Sequence, residues 1–378
     1  MMATAFFELS VISIVRVTTS YRAIELGLSA AWIGIITAAF AILPVFLALK
    51  VGRAIDRGND IIMVRSGTGM LVVACAGIAL VPSIYALLLF TAILGIGHLL
   101  LSIGVQVLCA QQPGPGVMER TLGNYMIATA IGQGAGPAVV GWMGGSAAIP
   151  PTQPLFWIGF ATAILAFLSS LLLQSGYKPS PQANGSKPMP VRDIIRSPGF
   201  TVVFFVSVVT VVAQDLIVVY LPLMGTERNI AVDVIGSLLA VRAFAAVVSR
   251  MFFARLSALL GSTRLIAAST IAGALAFVCL AAPFPIASMY VSIAIVGGSL
   301  GIAVTTAISS LLALVGTEVR GTANSLRTGG TRLGQVVIPF LAGILAAAAG
   351  VASVFIVLGA SLAMAATAVQ FIRPRSTS

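Results

Sequence analysis

Glu8, Arg16, His98, Asp215, Arg242 and Arg332 are ionisable side chains set inside stretches of sequence that are otherwise apolar. A charge at the centre of a bilayer costs about 2.5–3.5 kcal/mol on insertion scales, so one retained there is paired, hydrated or used to move an ion or a proton. An imidazole titrates near neutral pH, and a carboxylate does so when its surroundings change. Guanidinium groups stay charged and hold anions. No Cys-x-x-Cys pair, no phosphate-binding Gly-x-x-x-x-Gly-Lys-Ser/Thr loop and no nucleophile–base arrangement accompanies them. The chemistry on offer is therefore binding and proton transfer, without catalysis, metal or cofactor.

The elements that position these residues follow from composition. Of 378 residues, 59% are hydrophobic and 8% charged, which a soluble core cannot accommodate. Apolar runs of about 20 residues recur along nearly the whole chain and give twelve expected membrane spans. They lie near 3–21, 29–49, 61–81, 84–109, 120–144, 154–174, 200–224, 232–253, 262–281, 286–312, 322–348 and 351–372. The net charge of +11 is carried by short loops on one side. Lys50, Arg53, Arg57, Arg120, Lys178, Arg250, Arg255, Arg264, Arg320 and Arg373 fall there, whereas the opposite loops hold Arg22 and Arg228. Basic loops stay cytoplasmic, so both termini are expected there, in a multi-pass protein of the plasma membrane. Charge distributed this way serves membrane orientation, and nucleic acid is not an expected partner. Cys75, Cys109 and Cys279 lie inside apolar runs and read as packing residues. The first run contains Glu8 and Arg16 and lacks a basic leader, so it reads as a span and not as a cleaved signal.

Residues 175–199, rich in Pro, Ser, Gly and Lys, form the one long polar connection and divide the chain into halves at 1–174 and 200–378. A single offset of 202 residues relates Gly34 to Gly236, Arg53 to Arg255, Gly95 to Gly297, Pro137 to Pro339 and Gly141 to Gly343. Punctuation residues conserved across one offset point to two parallel six-helix repeats.

Depth along each span suggests partners. Asp215 stands about nine residues before the outer end of the seventh span and Arg242 about ten after the outer start of the eighth, nearly equal depths at 1.5 Å per residue. They are expected to pair, either as a permanent pin or as a proton-coupling site. Arg16 has no acid at its own depth, since Glu8 is about 12 Å away along the helix, and it is the candidate anion-binding group unless it snorkels outward. Glu8, near the cytoplasmic start of its span, is expected to be hydrated and structural. His98 either relays protons or is simply packed and hydrogen-bonded, the second reading being preferred. Arg332 sits mid-way along the eleventh span, and Arg327, closer to its start, reads as a gating or structural residue.

Two motifs carry a resemblance. The turn Lys50–Asp60 places Gly52, Asp56 and Arg57 in the register of Gly-x-Leu-Ala-Asp-Arg-x-Gly, and it resembles the loop between helices two and three of the major facilitator superfamily. Gly58 comes one place early, and Asn59 and Asp60 replace the usual basic pair. The fifth span carries Gly123-x8-Gly132-x3-Gly136-Pro137-x3-Gly141, with its glycines read as lining one helix face. It resembles the antiporter motif of that superfamily's drug and metabolite exporters, with one residue more before the last glycine. The resemblance implies an all-α integral membrane fold: twelve helices in two pseudo-symmetric bundles that rock around a central cavity lined by helices 1, 4, 7 and 10. It also implies a latch in which Asp56 meets the start of helix eleven near Arg327. The arginine that many proton-coupled members carry in helix four is absent.

The expectation is a monomeric secondary transporter that exports a small organic solute in exchange for protons. Uptake of an anionic metabolite is the alternative, suited by the surplus of buried arginine. A receptor or scaffold without transport is the reading from another class, and the lack of a sizeable soluble domain argues against it.

Overall fold

The computed structural model of the protein describes residues 1–56, 59–110, 117–174, 199–314 and 320–370. The connecting segment 175–198, Arg57 and Gly58 lie outside them, and of Gly52 and Asp56 the backbone alone is described. Among the described residues, twelve long helices follow one another: α1 (Met2–Glu25), α2 (Ala30–Asp56), α3 (Asp60–Leu80), α4 (Ile84–Ala110), α5 (Val117–Gly144), α6 (Thr152–Leu171), α7 (Phe200–Glu227), α8 (Val232–Met251), α9 (Ser262–Ala281), α10 (Ile286–Leu314), α11 (Arg320–Ala349) and α12 (Val351–Gln370). Each matches an expected span, and the protein is an all-α multi-pass membrane protein. A short helix, Phe253–Leu260, intervenes between α8 and α9 where a plain loop was expected. Eleven of the twelve are long and apolar enough to cross a bilayer by composition. The exception is α5, in which Asn124, Thr129, Gln133 and a run of glycines dilute the apolar residues.

Helices pack mainly within their own half. In the first, α1 rests on α5 and α6, and α3 on α4 and α6; in the second, α9 rests on α10 and α12, and α8 on α10. Three seams join the halves: α2 with α11, α5 with α8, and α1 with α7. Two of them are symmetry mates built from the same residues. On α11, a Cβ added to Gly343 would lie 3.0 Å from the Gly34 Cα of α2; on α5, one added to Gly141 would lie 3.0 Å from the Gly236 Cα of α8. In lipid, where water cannot drive helices together, such close backbone contact supplies the packing that holds them. The backbone carbonyls of Pro137 and Pro339 themselves face the partner glycines, Gly236 and Gly34. The second seam is reinforced by backbone bonds from Val232 N to Ala147 O, 2.9 Å, and from Asp233 N to Gly145 O, 3.1 Å. All of these contacts lie at the end of the bundle that carries the 26–29, 145–151 and 228–231 connections, so that end is shut.

Glycines of α5 therefore face two ways. Gly132 and Gly136 meet Phe6, Ser10 and Ser13 of α1, while Gly141 meets α8. The single face expected from the sequence is wrong because the five-residue step from 136 to 141 is about 140° past a full turn at 3.6 residues per turn.

Arg22 and Arg228, the basic residues of the sparsely charged side, are both committed to local structure. Arg22 donates to Gln153 Oε1 at 2.7 Å and lies over the Phe156 ring. Arg228 donates to the carbonyls of Leu280, Ala281 and Ala282, the unsatisfied end of α9. Their presence thus leaves the charge asymmetry between the two sides intact.

The seams make a test of stability. Gly141→Leu and Gly343→Leu are each expected to destabilise the folded protein by about 1–3 kcal/mol through overpacking, and to act additively because the seams are separate. Thermal unfolding of the purified single and double variants checks this; a double variant no worse than either single would mean that one seam alone holds the closed end.

Candidate functional site

Between the halves, a continuous string of side chains crosses the middle of the molecule. Arg16 of α1 donates from Nη1 to Asp215 Oδ1 of α7 at 2.7 Å. Asp215 Oδ2 accepts from Gln335 Nε2 of α11 at 2.5 Å, and Gln335 Oε1 accepts from Arg332 Nη1 at 3.2 Å. Arg16 and Asp215 are 12% and 20% exposed, enough to be reached from a cavity yet too buried to be a mere surface pair. Because α1 belongs to the first half and α7 and α11 to the second, the string ties the halves together.

The other face of Arg16 leans on an aromatic relay. Its guanidinium lies 5.3 Å from the ring centre of Phe40 on α2. Phe40 in turn stacks on His98 of α4, with ring centres 5.7 Å apart. His98 Nδ1 is 2.8 Å from Oε1 of Glu8, which lies about two turns before Arg16 on α1. Glu8 has no exposure, and its Oε2 has no partner among the described residues. Beside Arg16 opens a cleft of about 340 Å³, counting its mouth, lined by Val15, Thr19, Ile33, Ile36, Thr37, Phe40, Thr91, Leu94 and Val219. The Thr19 and Thr91 hydroxyls are unpartnered among the described residues, while those of Ser20 and Thr37, also in the wall, bond to their own helices.

Several sequence expectations change here. Asp215 bonds to Arg16 and Gln335 and not to Arg242. Equal depth fixes height but not azimuth, and the Asp215 side of α7 faces α1 and α11. Arg16 accordingly does have an acid, contributed by another helix and not by its own. Glu8, expected to be hydrated, has no exposure: Gly132 of α5 closes on the Phe6 carbonyl two residues away, and α4 brings His98 against the carboxylate. His98 is hydrogen-bonded as preferred, with a carboxylate as its partner. Walls of the cleft come from α1, α2, α4 and α7, so α2 stands where α10 was implied. Arg242, on α8, is 1% exposed, and its Nε and Nη2 have no acceptor among the described residues. Arg327 donates to Ser207 Oγ of α7 at 3.2 Å, inside its own half. The turn bearing Arg57 is outside the described residues, as is the Asp56 side chain, while Asp60 just beyond, the first residue of α3, accepts from the Ile61 amide. Sequence reading missed Gln335 and Phe40. Gln335 carried a signal, an amide three residues after Arg332 on the same helix; Phe40 carried none, being one phenylalanine among nineteen.

A helical bundle of this topology has known counterparts. The family profile of the Major Facilitator Superfamily matches residues 1–224 and 203–378. The chain belongs to this superfamily. No curated protein sequence matches it. Among solved structures, a mutant of the nucleoside transporter NupG is similar with a TM-score of 0.81 at 14% identity, covering 99% of this chain and 98% of that one. A POT family transporter in complex with a thioalcohol-conjugated peptide gives 0.81 at 12% identity, over 100% and 96%. The xylose transporter XylE from E. coli, inward open, gives 0.78 at 12% identity, again over 100% and 96%. Identities this low establish the fold. Superfamily membership makes the protein a secondary transporter that works by alternating access.

Proposed function

We propose that this protein is a proton-coupled exporter of a small organic solute, with Glu8–His98 as the proton site and Arg16–Asp215–Gln335 as the solute-sensitive latch between two rocking halves, residues 1–174 and 200–378. The observation that carries this reading is the fully buried Glu8 carboxylate held by His98. A carboxylate and an imidazole share one proton between them, and loss of that proton leaves a net negative charge where no solvent reaches. Such a charge is tolerated when the halves move and water enters, and this difference between states is what coupling to a gradient requires. Solute entering the cleft beside Arg16 competes with Asp215 for the guanidinium and loosens the tie across the halves. Arg332 supports Gln335, and Arg327 and Asp56 belong to the opposite end, where the family's latch would close. Export is favoured by the resemblance of the α5 pattern. The protein functions as a monomer in the plasma membrane with both termini cytoplasmic.

Proteoliposomes carrying a pH-sensitive dye in the lumen test the coupling and its direction, with uridine, xylose and short-chain carboxylates as trial solutes. Exchange is expected to drive solute toward the acidic compartment while protons run the other way. Solute and protons moving together would replace export by uptake, and solute flux with no dye response would remove the proton from the cycle.

A further inference from the structure

Arg242 is the mate of Phe40 in the 202-residue repeat, and the packing supports that equivalence. Gly95 of α4 closes on the backbone carbonyl of Phe40, while its mate Gly297 of α10 closes on the backbone carbonyl of Arg242. One half therefore presents a ring and the other a guanidinium at the same place relative to the central axis. Phe40 lines the cleft. Arg242 instead keeps Nε and Nη2 buried without an acceptor among the described residues.

Those two atoms form the side edge of the guanidinium, the pair of parallel donors that matches the two oxygens of a carboxylate. The acid on the preceding helix is Asp215. It is not available: its oxygens are taken by Arg16 and Gln335. Arg332 meets a neutral amide oxygen, so three guanidiniums at the waist share one carboxylate. A buried donor edge without an acceptor is costly, and a site that keeps one is arranged for an acceptor that arrives from outside.

We infer that the solute is a small organic carboxylate whose two oxygens take the Nε and Nη2 edge of Arg242. This rests on the transporter reading above and adds the substrate class to it.

The test compares each acid with its own amide on the purified full-length protein: benzoate with benzamide, hexanoate with hexanamide, nicotinate with nicotinamide. The amides match the acids in shape and lack the charge. At least one carboxylate is expected to raise the thermal midpoint in a saturable way, with its amide at least about tenfold weaker, a difference of about 1.4 kcal/mol. Arg242→Lys, which keeps the charge and loses the two-donor edge, is expected to weaken that acid by about tenfold or more. An amide equal to its acid, no response to any carboxylate, or an unchanged affinity in Arg242→Lys would overturn the assignment. If the lysine variant does not fold, the acid–amide comparison on the unmodified protein still decides. A neutral solute exchanging for protons while no carboxylate binds would leave the proton-coupled export reading standing and remove this one; a bound carboxylate with no proton movement would do the reverse.

Discussion

Glu8→Gln is expected to abolish accumulation of solute against its gradient while leaving exchange at equal concentrations within about threefold of the unmodified rate. Each pH unit is worth about 1.36 kcal/mol per proton, so a two-unit gradient coupled to one proton sustains a solute ratio of about 100, which should fall to about 1 in the variant. Glutamine keeps the size of the side chain and can still bond to His98, so the helix contacts of α1 with α4 survive and the loss is confined to the proton. The buried site also gains from the change, because the amide carries no charge and needs no counter-charge. Measuring steady-state accumulation and equilibrium exchange on the same vesicles separates the two effects. A variant that still concentrates solute under a pH gradient would exclude Glu8, and the proton would have to be sought at Asp215.

Twelve spans, their order and the parallel repeat were legible in the sequence because each rests on a one-dimensional quantity: run length, loop charge, or a single offset in residue number. The seams were half legible. The pairs Gly34–Gly236, Pro137–Pro339 and Gly141–Gly343 stood out as repeats, but the contacts are Gly34 with Gly343 and Gly141 with Gly236, across the repeat and not along it. A repeat identifies equivalent residues, and equivalence under a two-fold relation places them apart. The site was legible as a set of residues and misread as a set of pairs. Depth along a helix can be counted from sequence, whereas the direction in which a side chain leaves its helix depends on how that helix is turned against its neighbours. That missing angle sent Asp215 to Arg242 in the expectation and left Arg16 without an acid. The same ignorance of azimuth made Glu8 look hydrated, since its nearness to a helix start says nothing about the cover provided by α4 and α5.

Asp215→Asn is expected to shift the protein away from the conformation described here by about tenfold in population, which corresponds to about 1.4 kcal/mol. The carboxylate now accepts from two donors at once, Arg16 Nη1 at one oxygen and Gln335 Nε2 at the other. An asparagine has one acceptor and one donor, so it can satisfy Arg16 or Gln335 but must turn its own NH2 toward the other. Arg16 or Gln335 is then left facing a donor, and if it is Arg16 a largely buried charge loses its counter-charge. Removing one member of a fully buried ion pair costs about 3–5 kcal/mol, and the residual exposure of this pair lets water recover part of that. The glycine seams do not depend on Asp215, so the loss should appear as altered sampling of states and not as unfolding. Spin labels placed on the ends of α5 and α8 at the shut side report the distribution between the halves directly. Arg16→Met is expected to move it the same way, and the double variant Arg16→Met with Asp215→Asn should shift it by less than the sum of the two, because the partners answer to each other. Distance distributions that remain unchanged in both single variants would mean that the string across the waist merely neutralises charge, and that the α2–α11 and α5–α8 seams alone decide which end is shut.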